Sequence, residues 1–100
     1  MSLETALSGI GVTLAYGRVK SEQKPPFMIW LGAGQDVMPA DDTFIWDKNN
    51  YRLEYYFTKK DETKETAIEQ ALLSGGFRYS KSEDTYIESE DLFVIYYEVN

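Results

Sequence analysis

Neither cysteine nor histidine occurs anywhere in this chain of 100 residues. Without cysteine there is no disulfide framework, no thiolate metal site and no catalytic thiol. Without histidine the commonest general base, the usual zinc ligand and the side chain that titrates near neutral pH are all missing. A Ser-His-Asp triad cannot be assembled, so the residues point away from an enzyme, and no cofactor is expected. Basic residues are also scarce, with 10 Lys and Arg against 17 Asp and Glu for a net charge of −7. Beyond Lys81 no base remains, while Glu83, Asp84, Glu88, Glu90, Asp91 and Glu98 follow. Such a segment repels phosphate, so specific nucleic-acid binding is not expected. Apolar runs fall far short of the roughly 18 residues that span a bilayer, so no membrane role is expected. The opening Met1-Ser2-Leu3-Glu4 has neither the basic region nor the apolar stretch of a signal peptide, which points to the cytosol.

What is present is an ordinary globular balance with an excess of aromatics. Hydrophobic residues make up 43% and aromatics 15%, with 8 tyrosines. Length and balance predict one domain over residues 1–100. Tyrosine, apolar along its body and polar at its tip, suits strands and interfaces.

Leu3, Leu7 and Ile10 have helical spacing ahead of Gly9 and Gly11, predicting a short N-terminal helix, and residues 12–16 suit a short strand. Phe27-Met28-Ile29-Trp30-Leu31 is a continuous apolar run, expected as a strand covered on both faces and ended by Gly32-Ala33-Gly34. A second break is expected at Pro39-Ala40-Asp41-Asp42. The next strand is expected over Thr43-Phe44-Ile45-Trp46, turned by Asp47-Lys48-Asn49-Asn50. From 51 to 58 the pattern alternates, with Tyr51, Leu53, Tyr55 and Phe57 on one face and Arg52, Glu54, Tyr56 and Thr58 on the other. The main helix is expected over about 61–74, with Asp61 as N-cap and Gly75-Gly76 as the stop. Its expected buried stripe is Ala67, Ile68, Ala71 and Leu72, with Glu65, Glu69 and Gln70 in water. Further strands are expected at 77–79, 85–88 and 92–99. The last is apolar on both faces: Phe93, Ile95, Tyr97 and Val99 on one, Leu92, Val94 and Tyr96 on the other. The expected fold is therefore α+β, an antiparallel or mixed sheet of four to six strands packed by one main helix and a short N-terminal one.

Few residues invite a chemical reading. Gly32-Ala33-Gly34-Gln35-Asp36 has the glycines of a phosphate loop, but no helix follows and Pro39 stands close by, so it reads as a turn. The acids from Glu83 to Asp91 lack the spacing and glycine of a calcium loop and read as a solvated face. Lys59-Lys60 with Lys64 is the one basic cluster, and Lys59-Lys60 is expected at a strand end where charge discourages edge pairing. Trp30 and Trp46 read as core or rim residues.

Several stretches together resemble a family of short structural proteins of long-tailed phages and prophages, the tail terminator and head–tail joining proteins. They are Gly9-Ile10-Gly11-Val12-Thr13-Leu14-Ala15-Tyr16-Gly17, Pro25-Pro26-Phe27-Met28-Ile29-Trp30-Leu31, Ala40-Asp41-Asp42-Thr43 and Asn50-Tyr51-Arg52-Leu53-Glu54-Tyr55-Tyr56. Lys81-Ser82-Glu83-Asp84-Thr85-Tyr86-Ile87-Glu88-Ser89-Glu90 and Val94-Ile95-Tyr96-Tyr97-Glu98-Val99 complete the set, which covers most of the chain. The resemblance implies a small α+β subunit that assembles as a six-fold ring on the last ring of the tail tube and meets the head connector on its other side. Its partners would be other copies of itself, the tail tube protein and the head connector protein, in the host cytoplasm during assembly and then in the virion. The family has no catalytic motif to carry over. Tail terminators can have a longer arm where this chain is expected to have only a short loop over 32–42.

The candidate assembly interface is Leu92, Val94 and Tyr96 with Tyr56, Phe44 and Trp46, and the candidate acidic channel face is Glu83, Glu88 and Glu90. An acidic phage-encoded regulatory or DNA-mimicking binding protein is the alternative that the charge allows. A small hydrolase built from carboxylates and lysines ranks behind both.

Overall fold

The computed structural model describes residues 2–18, 23–40 and 44–100, with side chains described outside 36–48. Two helices and six strands follow one another as α1 (Leu3–Leu7), β1 (Thr13–Tyr16), β2 (Phe27–Ala40), β3 (Phe44–Phe57), α2 (Glu62–Ser74), β4 (Tyr79–Lys81), β5 (Thr85–Ile87) and β6 (Leu92–Val99). The strands form one mixed sheet in the order β1-β2-β3-β6-β4, with β5 also on β6. Among the described residues only the β1–β2 pairing is parallel. The expected α+β class and both helices are present.

Both helices start and stop where their capping chemistry sits. The Ser2 hydroxyl accepts from the Thr5 amide at 3.1 Å, and the Asp61 carboxylate from the Lys64 amide at 3.1 Å. Each satisfies an amide that the first turn leaves without a partner. At the far end of α2, Gly76 has φ 86, a conformation in which a Cβ is costly. The Phe77 amide returns to the Leu72 carbonyl at 2.9 Å and the Gly76 amide to that of Leu73 at 3.0 Å, which closes a Schellman stop.

The alternation over 51–57 sets the register of the core. Successive rows across the sheet run Met28–Tyr55–Ile95 and Trp30–Leu53–Tyr97–Lys81. Leu3 and Leu7 of α1 and Ile68 and Leu72 of α2 join Met28, Leu53, Tyr55, Phe57, Ile95, Tyr97 and Val99 in one core cluster. Both helices therefore lie on the same face of the sheet. Ala6 and Gly75 hold them together: a Cβ on Gly75 would come within 2.8 Å of the Ala6 Cβ.

The buried stripe of α2 differs from the expected one. Ala67 is exposed, whereas Glu65 is only 2% exposed. Glu65, Ile68 and Leu72 lie three and four residues apart, so the core-facing stripe begins one turn earlier, at a carboxylate. Burial is tolerated because lysines reach it from two sides. Lys81 Nζ donates to Glu65 Oε1 at 2.8 Å, and Lys60 Nζ lies 2.8 Å from Oε2, off the direction of a hydrogen bond.

Two expected breaks are absent. Gly32-Ala33-Gly34 does not end a strand but bends one. The register passes from Gly32 opposite Tyr51 to Gln35 opposite Asn49, so β2 has one more residue than β3 there. This is a bulge, with Gly34 at φ 90 supplying the conformation it requires. Asp47-Lys48-Asn49-Asn50 is likewise not a turn: β3 continues through it, and pairing runs on to Ala40 opposite Phe44. Ladder bonds to β2 outweigh the turn preference of those residues. The short loop expected over 32–42 is thus largely strand, apart from Asp41 and Asp42, which lie outside the described residues.

The result is a ribbon. β6 pairs with β3 only from Tyr51 to Phe57, and β1 with β2 only from Phe27 to Trp30. Beyond Gly32 and Tyr51 β2 and β3 continue, among the described residues, as two strands alone. This ribbon helps draw the molecule out to 52 × 26 × 26 Å with a radius of gyration of 15.0 Å, against about 13 Å for a compact chain of this length.

Candidate docking face

The same register that points Met28, Tyr55 and Ile95 at the helices points their neighbours to the opposite face. Its rows are Phe27–Tyr56–Val94–Thr85, Ile29–Glu54–Tyr96 and Leu31–Arg52–Glu98–Ser80, with Leu92 opposite Ile87 at one end. Among the described residues no helix crosses this face. Its β5–β6 end is nevertheless apolar and close-packed. Phe27 and Ile29 are 8% and 9% exposed and Val94 is completely covered, while Tyr56, Leu92, Tyr96 and Ile87 are half-buried.

Three of the four interface candidates whose side chains are described, Leu92, Tyr96 and Tyr56, present surface here. Val94 belongs to the same face but lies beneath its neighbours and offers no surface to a partner. Phe44 and Trp46 are on the ribbon, opposite Ala40 and Met38, and their side chains lie outside the described residues. The structure thus divides the six candidates between the sheet face and the ribbon. Sequence reasoning missed Phe27, Ile29 and Ile87. The signal was pairing parity: once Tyr55 faces the core, antiparallel pairing of 27–31 with 52–56 places the odd-numbered residues of the apolar run on the other side.

Aromatic and charged contacts fix the face. Tyr56 stacks on Phe27 with centroids 4.9 Å apart and donates its hydroxyl proton to Glu54 Oε1 at 2.7 Å. Burial, and then the Glu54 carboxylate, push the Tyr56 phenol well above its ordinary value of 10.0, so it remains a donor. Arg52 pairs with Glu98 at 3.3 Å and lies 5.9 Å from the centre of the Tyr96 ring.

A groove crosses the β5–β6 end of this face. One depression of about 370 Å³ is lined by Phe27, Ile29, Tyr56, Ile87, Ser89, Glu90 and Leu92. A second, of about 400 Å³, shares Phe27, Glu90 and Leu92 with the first and adds Gln23, Pro25, Thr58 and Asp91.

The channel-face candidates are all exposed. Glu83 lies between β4 and β5, and Glu88 and Glu90 in the turn from β5 to β6, along one border of the sheet. Asp91 closes that turn at φ 52 and accepts from the Tyr86 hydroxyl at 2.7 Å.

On the helix side the ionisable groups are engaged with one another. Besides Glu65, Lys81 contacts Glu69 at 2.9 Å, and Glu69 accepts from the Tyr97 hydroxyl at 2.8 Å. Lys60, expected as a strand-end charge, bridges Glu65 and Asp84, and Lys64 donates to the Ile10 carbonyl at 3.2 Å. This is a clamp joining α2 to β4. Each carboxylate of the clamp is paired with a lysine. Among the described residues no three potential ligands gather as a metal site, and no helix is long and apolar enough to cross a membrane.

Compared with known proteins, the chain matches no family model and no curated relative.

Proposed function

We propose that the chain is a non-enzymatic virion assembly protein, a tail-completion or head–tail joining subunit that acts as a ring at the tail–head junction. The ring, of six copies by the family resemblance, would contact the tail tube protein on one side and the head connector protein on the other. The single observation that carries this reading is the uneven covering of the sheet. Both helices pack on one face, while the opposite face, with Tyr56, Leu92 and Tyr96 half-buried and no helix across it among the described residues, and a two-stranded ribbon lie outside the helix-covered core. Such surfaces serve a subunit that completes its packing against other chains.

The exposed border of Glu83, Glu88 and Glu90 fits a channel wall that lets DNA pass without adhering. Replacing all three with Gln tests that part: unchanged assembly and genome delivery would remove it. The same acids favour a second reading, an acidic binding protein directed at a basic host target, for which a tight complex with such a target is the expected mark.

Native mass spectrometry of the purified protein over a broad concentration range, alone and with isolated tail tubes, decides between the two. A six-copy species, free or on the tubes, is the expected result. A monomer or dimer that also ignores the tubes would overturn the ring.

A further inference from the structure

The groove across the β5–β6 end of the helix-free face has a built floor and a one-sided charge. Phe27 and Ile29 form the base, and Tyr56, Ile87 and Leu92 the half-buried sides. Contacts within the protein support its shape. Tyr56 is held by its stack on Phe27 and its bond to Glu54, and the turn carrying Glu90 is fixed by the bond from Tyr86 to Asp91. A preformed pocket loses little conformational entropy on binding.

The rim is acidic. Glu90 lines both depressions and Asp91 the second, and among the described residues no basic side chain lines either, Lys24 and Lys59 standing next to lining residues without lining the groove themselves. Glu90 makes no ion pair among the described residues. Arg52, on the same face, is committed to Glu98 and Tyr96. A second copy, itself at −7, is a poor match for this rim.

We infer that this groove receives an apolar side chain of another protein, in a segment where lysine or arginine flanks that anchor. The anchor fills the space over Phe27 and Ile29, and the flanking cations reach Glu90 and Asp91. Burial supplies the affinity, and the rim selects for positive charge and speeds the encounter. This concerns the chemistry of one contact and holds whether the chain works as a ring or as a single copy.

Two hexapeptides capped at both ends, Lys-Lys-Leu-Phe-Lys-Lys and Glu-Glu-Leu-Phe-Glu-Glu, test it by titration into the full chain with methyl NMR detection. The expected result is movement of the Ile29, Ile87 and Leu92 methyls with the basic peptide alone. Binding should weaken about fivefold or more between roughly 0.05 and 0.5 M NaCl. Glu90→Lys, an exposed turn substitution, should weaken the basic peptide about as much while leaving circular dichroism and Tm unchanged. Equal binding of the two peptides, or no methyl movement up to millimolar basic peptide, would overturn the inference. Concentration-dependent movement of the same methyls in the free protein would also do so, by making a second copy the occupant.

Discussion

Glu65 and Lys81 stand sixteen positions apart in the sequence and 2.8 Å apart in the fold, joining the first turn of α2 to the end of β4. Glu65 is nearly sealed from water, whereas the Lys81 side chain is 34% exposed, so the two partners do not fail equally. Lys81→Ala leaves a covered carboxylate with only Lys60 beside it, at an expected cost of about 1–3 kcal/mol in urea denaturation at neutral pH. Removing Lys60 as well should cost more than the two single losses together, because the last countercharge goes. Lys81→Met combined with Glu65→Leu should recover most of the stability. If the double apolar variant is no better than Lys81→Ala, the clamp is not what the single change disturbs.

The same clamp sets the response to pH. Burial opposes ionisation of Glu69, but hydrogen bonds from Lys81 and Tyr97 outweigh it and hold the carboxyl below its ordinary value of 4.5. Its stabilisation is therefore present above 4.5 and lost as pH falls through the lower folded value. Lys81 behaves in the opposite sense. Burial works against its charge, the bonds to Glu65 and Glu69 prevail, and its pKa lies above the ordinary 10.5. That contribution is complete below 10.5 and disappears as pH rises through the folded value. Tyr97, raised above 10.0 by burial and then by Glu69, adds to the alkaline limb. Tm measured against pH should show a plateau between the two limbs, and Lys81→Met should flatten the alkaline one.

The stop of α2 offers a contrast between two adjacent glycines. Gly75 has an ordinary backbone, but its missing Cβ makes room for Ala6 at 2.8 Å; Gly76 has open space around it but φ 86. Gly75→Ala is expected to lose about 1–3 kcal/mol by pushing α1 off α2, and Ala6→Gly in the same chain should restore part of it. Gly76→Ala should cost about 1 kcal/mol, and Ala6→Gly should not rescue it. Rescue of both, or of neither, would show that the two sites do not differ in this way.

The ribbon can be removed without cutting the core. Gly32 and Tyr51 are paired, so joining them through Asn-Gly deletes residues 33–50 and closes a two-residue hairpin. None of the core cluster described here lies in that stretch. The shortened chain should fold cooperatively, with a radius of gyration near 12 Å by small-angle scattering. On the proposed function it should also fail to form the six-copy species. A shortened chain that does not fold would place the ribbon in the folding unit.

Much of the fold was readable from local chemistry. The Tyr51–Phe57 alternation gave the core face, Ser2 and Asp61 lie at chain positions suited to capping, and Gly75-Gly76 marked the stop of α2. The ribbon was not readable, because glycines and a run of Asp, Lys and Asn carry the same signal in a turn as in a bulged strand, and only long-range pairing separates them. Glu65 was misplaced for a related reason. Its countercharges come from Lys60 and Lys81, outside α2, and leave no trace in the helix's own periodicity. Of the helix-free face, Tyr56, Leu92 and Tyr96 could be placed from alternation. Phe27 and Ile29 could not, since an unbroken apolar run carries no parity until its partner strand is known.

Ser82 decides where this sheet can accept another strand. Its amide donates to the Tyr96 carbonyl, and its hydroxyl accepts from the Tyr96 amide, each at 2.9 Å. One side chain thereby bridges the gap between β4 and β5 and leaves β6 with neighbours on both sides. The border strands that remain have only three or four residues each. Among the described residues, the long stretches of ladder with a free side are 31–40 of β2 and 44–50 of β3. Sheet extension is therefore directional: an incoming strand finds its longest run of unpaired amides and carbonyls on the ribbon, at the end of the molecule farthest from the acidic groove.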